Sequence, residues 1–190
     1  MVIKYIFCQM KEIVVKDSEL SKAAQEGMDE FVAVFVNAIY DAIGGELTAQ
    51  TMAELNSDQI TLLGYHILHE EVMDGGFVQL IHNGYGPFFF QNPFAKAVQQ
   101  WGMDDLKRLV RKAHGLYNKY GEELERDCDE DEFMSLFESH PEFDDLDDTF
   151  VENEETWTEL VATYIDDHLD SFARIDFDAD TQPSALSPSV

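Results

Sequence analysis

From Phe143 to Phe172 a helical apolar stripe runs through the densest acidic stretch of the chain. Phe143, Leu146 and Phe150 stand at i, i+3 and i+7, and the set continues through Trp157, Leu160, Val161, Tyr164, Ile165, Leu169 and Phe172. That spacing is one face of an amphipathic α-helix. Between these residues stand Asp144, Asp145, Asp147, Asp148, Glu152, Glu154, Glu155, Asp166 and Asp167. Without the stripe, such a segment could not bury enough apolar surface to offset its chain entropy and would stay solvated. With it, the segment is expected to fold as helix that holds its carboxylates outward.

The rest of the chain has the same period. Asp17 or Ser18 is placed to cap a helix carrying Leu20, Ala24, Phe31, Phe35 and Ile39, which Gly44-Gly45 ends. A short helix is expected around Thr48–Leu55. Asn56 with Gln59 opens a longer one, with Ile60, Leu63, Ile67 and Leu68 inward, and Gly75-Gly76 stops it. FVQLIHNG reads as a further apolar turn of helix and GYGPFFFQ as a loop. Asn92-Pro93 starts a helix through Trp101, and Asp104 starts another through Leu106, Leu109, Val110, Leu116 and Tyr117. Strand signals are almost absent and no repeat is visible. The expected fold is an all-α, single-domain multi-helix bundle with an acidic C-terminal helical region. The expected domain spans residues 17–177, after an N-terminal extension (1–16) of which 1–9 are dispensable, and before a disordered Pro- and Ser-containing tail (178–190).

With 45% hydrophobic residues in 190, one sizeable core is available. The net charge of −27 is far beyond the ~2–8 that suffices to keep a small domain in solution. It is also uneven: residues 121–190 hold 24 of the 39 acids and two of the 12 bases. Nucleic acid and anionic membrane are thereby disfavoured as direct partners, and basic proteins are favoured. The basic cluster Lys107, Arg108, Arg111, Lys112 and Lys119 is read as a solvated face, with pairing to the acidic region or between two subunits as alternatives. Two scattered cysteines, Cys8 and Cys128, form no disulfide framework and suit a reducing cytoplasm. No apolar run reaches the ~20 residues of a membrane span.

Three patterns bear on other chemistry. Asp127, Asp129, Asp131 and Glu138 fit positions of a calcium loop, but Glu132 replaces the glycine its sharp turn needs. His66, His69 and Glu70 could share a helix face as metal ligands, although paired histidines at a core boundary are more often structural. His82, Asn83 and Tyr85 adjoin the Gly-rich loop and could line a pocket. No phosphate-binding glycine motif, nucleophile elbow or singular carboxylate pair is present, so neither cofactor nor metal nor enzymatic activity is expected.

EEVMDGGFVQLIHN (Glu70–Asn83) and EFDDLDDTFVENEETWTELVATYIDDHLDSF (Glu142–Phe172) resemble a bacterial family of small acidic helical proteins. That family is named after a nineteen-kilodalton DNA-mimic protein (DMP). The resemblance covers roughly Leu55–Phe172, with Gly75, Gly76, Phe77, Gln79 and Asn83 as its structural motif. It implies an all-helical fold, often dimeric, whose acidic surface occupies the DNA-binding face of a transcription factor or nucleoid protein and competes with DNA. The phosphate surrogates would be Asp144, Asp145, Asp147, Asp148, Glu152, Glu154, Glu155, Asp166 and Asp167. Eight acids lie between Glu142 and Glu155. As helix that segment would carry one charge per ~2.6 Å, inside the B-DNA range of one per ~1.7–3.4 Å. An acidic interaction module without mimicry, or a metal protein or enzyme using His66 and His69, stays open as an alternative.

Overall fold

The computed structural model describes residues 10–177; the readings made for residues 1–9 and 178–190 lie outside the described residues. Among the described residues the elements are β1 (Val14–Lys16), α1 (Asp17–Glu26), α2 (Met28–Ile43), α3 (Ala49–Met52), α4 (Ser57–His82), α5 (Gly86–Gln91) and α6 (Phe94–Gln100). They continue with α7 (Asp104–Leu124), α8 (Glu130–Ser139), a 3₁₀ turn (Pro141–Phe143), α9 (Asp144–Asp167), α10 (Leu169–Phe172) and β2 (Arg174–Asp176). The all-α architecture expected from the sequence is therefore the one observed. The described helices fall into two compact units: residues 10–56 with 165–177, and residues 57–164.

In the first unit, α1 and α2 are two helices where one was expected. Gly27 ends α1, its N–H bonded to the Ala23 carbonyl, and its own carbonyl accepts from Phe31 in α2. The amphipathic face of α2 buries Phe31, Phe35, Val36 and Ile39. Phe35 meets Phe172 edge-on, their centroids 6.1 Å apart. Gly44 closes α2 in the left-handed conformation (φ 84°) that glycine adopts without steric cost. Thr48 and Thr51 cap α3 reciprocally. Ile13 and Val15 are each 3% exposed, and Val14–Lys16 pair in parallel with Arg174–Asp176. Arg174 Nε donates to Glu12 Oε1 at 2.8 Å. Strands of three residues are too short to show a period of two, so neither is legible from residue spacing.

In the second unit, α4 and α7 carry the core, with α5 and α6 packed on both. GYGPFFFQ, expected as a loop, contains helix α5, with proline in its first turn, where a missing N–H costs nothing. Its Phe89 packs at right angles on Phe94 of α6 at 4.9 Å. Asn92 is extended between the two helices and donates to the Pro87 carbonyl instead of capping α6. No helix among the described residues is long and apolar enough to cross a membrane.

Candidate functional site

The 3₁₀ turn at Pro141 delivers the chain into α9 with Asp144, Asp145 and Asp147 in its first turn. Carboxylates there complement the partial positive charge of the helix N-terminus. Phe143, Phe150, Trp157, Val161 and Ile165 are buried along one side. Positions 147 and 154 belong to that side too, since 143, 147, 150, 154, 157 and 161 follow one another at steps of three and four. The two acids at these positions turn inward, where both had been expected outward.

Asp147 is half-buried and its Oδ1 accepts the Phe77 N–H at 2.8 Å. That N–H begins the second half of α4, because Gly75 (φ −150°, ψ 24°) and Gly76 (φ 72°, ψ −175°) interrupt the helix. Asp147 thus caps, from another helix, a helical segment that its own sequence leaves uncapped. A Cβ on Gly76 would collide with the Asp147 carboxylate. Burial pushes the Asp147 carboxyl up to about 6; the Phe77 N–H opposes the shift, and the charges of Asp144 and Asp148 add to it. Next to the break, Gln79 Nε2 donates to Asp74 Oδ2 at 2.8 Å, and Asn83 Nδ2 to Glu71 Oε2 at 2.8 Å. Phe77 is fully buried. The Gly-Gly-Phe-x-Gln and Leu-Asp-Asp segments, 70 residues apart, meet at this one joint.

Glu154 accepts from His69 Nε2 at 3.1 Å. One turn further, Thr158 shares a 2.8 Å hydrogen bond with the Tyr65 hydroxyl. The His69 ring is engaged in pinning α9 to α4. Burial lowers the basicity of His66, and Glu70 opposes that shift. The calcium-loop register is not formed: Asp129 Oδ1 caps α8 through Glu132 N–H, and residues 130–139 are helix. Among the described residues no three His, Cys, Asp or Glu side chains are grouped to hold a metal ion. Of the basic cluster, Arg108 pairs with Asp105 on its own helix and Lys119 lies 3.8 Å from Glu142. Glu142 also accepts from the Tyr120 hydroxyl, a bond that holds its carboxyl below the ordinary range.

What remains outward is more regular than a count of acids suggests. Asp145, Asp148, Glu152, Glu155 and Glu159 step by three and four along α9, and all are exposed, as is Asp144. Successive members of this row are ~5 Å apart along the axis. With Glu142, Asp147 and Glu154 removed from the tally, Asp144 to Glu155 present one free carboxylate per ~4 Å, close to the ~3.4 Å of a single DNA strand. Glu159 carries the row one turn further, a member the sequence reading left out. Val151, 53% exposed, is the one large apolar side chain on this face. Asp166 and Asp167 are exposed on the last turn of α9 and belong to the first unit.

Fold and site together define a class: acidic all-helical proteins whose charge is displayed on a helix buttressed from behind. Residues 53–168 match the model of the DMP19-like protein family, and the chain belongs to that family. A relative from Neisseria meningitidis serogroup B, DNA mimic protein DMP19, is 36% identical over 135 residues, covering 68% of this chain and 82% of the relative.

Proposed function

We propose that this protein is a DNA mimic that occupies the basic DNA-binding surface of a cytoplasmic transcription factor or nucleoid protein, in competition with DNA. The observation that carries the reading is the outward row Asp145, Asp148, Glu152, Glu155 and Glu159, with Asp144 at its head, on a helix fixed by buried aromatics. Arginine forks on a partner would pair with these carboxylates as they pair with phosphates. Membership of a family with a DNA mimic among its members supports it. A preformed helix loses little order on binding, which a flexible acidic tail would forfeit. Asp147 and Glu154 have no place in the contact; they hold the row in position.

The test is capture from a bacterial extract on the immobilised protein. A DNA-binding protein should be retained and then displaced by duplex oligonucleotide or by raised salt. A quadruple Asp145→Asn, Asp148→Asn, Glu152→Gln, Glu155→Gln variant should lose that capture. Retention that duplex DNA does not reverse would mark the protein as an acidic interaction module without mimicry.

A further inference from the structure

The second unit has an open pocket of about 350 Å³ lined by Asp74, Gln79, His82, Asn83, Cys128, Asp129 and Phe133. It lies apart from the outward row of α9 in residue membership, and the mimic reading makes no use of it. His82 Nδ1 is 2.9 Å from the Leu124 carbonyl. A carbonyl only accepts, so Nδ1 carries a proton, and in the neutral form of the ring Nε2 is the nitrogen that bears the lone pair. That nitrogen stands 4.0 Å from Cys128 Sγ, and the ring is held from the side by Phe133 at 4.8 Å between centroids. A half-buried thiol, a base of fixed tautomer and room for a small molecule are thus together in one place.

We propose that Cys128 is a site of thiol–disulfide exchange, with His82 as its base and a small cationic disulfide as its co-reactant. The thiol proton passes to His82 Nε2 and Sγ attacks one sulfur of the disulfide. The S–S bond breaks as the new Sγ–S bond forms. The departing thiolate takes the proton from the imidazolium and leaves as a thiol, so Cys128 is oxidised and the released half is reduced. The preference for a cation follows from the lining: Asp74 and Asp129 are its carboxylates, in a protein of net charge −27. An anionic disulfide is repelled from such a pocket and an ammonium-bearing one is drawn in, with Phe133 offering a ring face.

The experiment uses the full chain carrying Cys8→Ser, so that Cys128 is its one thiol. Adduct formation with cystamine and with dithiodipropionate, a dianion of similar size, is followed by intact-mass spectrometry near neutral pH. The folded protein should react with cystamine about tenfold or more faster than the urea-unfolded chain. Cystamine should exceed dithiodipropionate by more than about tenfold at low salt, the gap closing at high salt. His82→Gln should bring the rate down to that of the unfolded chain. If circular dichroism shows that variant unfolded, Asp74→Asn carries the test, and the cystamine advantage should shrink severalfold. Folded and unfolded chains reacting alike, or the two disulfides reacting alike at low salt, would overturn the proposal, as would an Asp74→Asn protein with an unchanged ratio.

Discussion

Asp147 holds a carboxylate against the backbone of another helix, and this sets the pH response of the fold. Its carboxyl titrates near 6 in the folded chain against an ordinary 3.8. The native state therefore binds this proton more tightly than the unfolded chain does. The associated stability is fully present below about pH 4 and is lost as pH rises through about 6. Asparagine at 147 keeps an acceptor for the Phe77 N–H and has no charge to desolvate. Asp147→Asn is expected to exceed the wild type by roughly 1–3 kcal/mol at neutral pH, the gap closing toward pH 5. Urea midpoints of both proteins across that range check this, and parallel curves would refute it. Asp147→Ala removes the cap and should cost about 1–2 kcal/mol relative to the asparagine variant. Gly76→Ala meets two obstacles, the left-handed backbone at φ 72° and the carboxylate seated where its methyl would go. It is expected to lose at least the ~1–3 kcal/mol of a strained residue, and the same denaturation measurement reads it.

At the scale of the element, α9 separates two tasks on opposite sides. The inward side contributes burial: Phe150 is wholly enclosed, beside His69 at 6.2 Å and Trp157 at 5.3 Å. Phe150→Ala should cost about 3–5 kcal/mol, lowering the midpoint of urea unfolding accordingly. The outward side opposes folding slightly, because each like-charged pair at i, i+3 or i, i+4 is unfavourable by ~0.2–0.5 kcal/mol. The quadruple amide variant should therefore keep its helix content and gain roughly 1 kcal/mol while losing capture of the proposed basic partner. A variant that unfolds would mean the carboxylates have structural roles beyond those seen at Asp147 and Glu154. Strand β1 has the opposite balance, with few residues and one buried anchor of its own, Val15, next to the buried Ile13 that precedes it. Val15→Asp is expected to cost the ~1.5–3 kcal/mol of one buried aliphatic side chain, or more, and so to lower the melting temperature.

Taken whole, the molecule carries −27 charges with most of the excess in its last third. Self-repulsion of that size weakens the compact state and is screened by salt. Added sodium chloride should thus raise the melting temperature while weakening capture of a basic partner, two opposite trends from one cause. Calorimetry and a binding isotherm at several ionic strengths would show both. Trends of the same sign would indicate that the partner is held by apolar contact, for which Val151 is the exposed candidate on α9.

Local spacing and composition are enough to specify a helical chain and the place where its charge is concentrated. The sequence also contained the inward positions of Asp147 and Glu154, whose steps of three and four from Phe143, Phe150 and Trp157 place them on the buried side. A count of acids hides that, because density ignores direction. What those two acids meet depends on how distant segments pack. The partner of Asp147 is a backbone N–H 70 residues away, exposed by a glycine break in a different helix. The pairing of β1 with β2 and the approach of His82 to Cys128 are decided in the same way. Contacts between distant segments leave no period in either one, so they emerge only when the chain has folded.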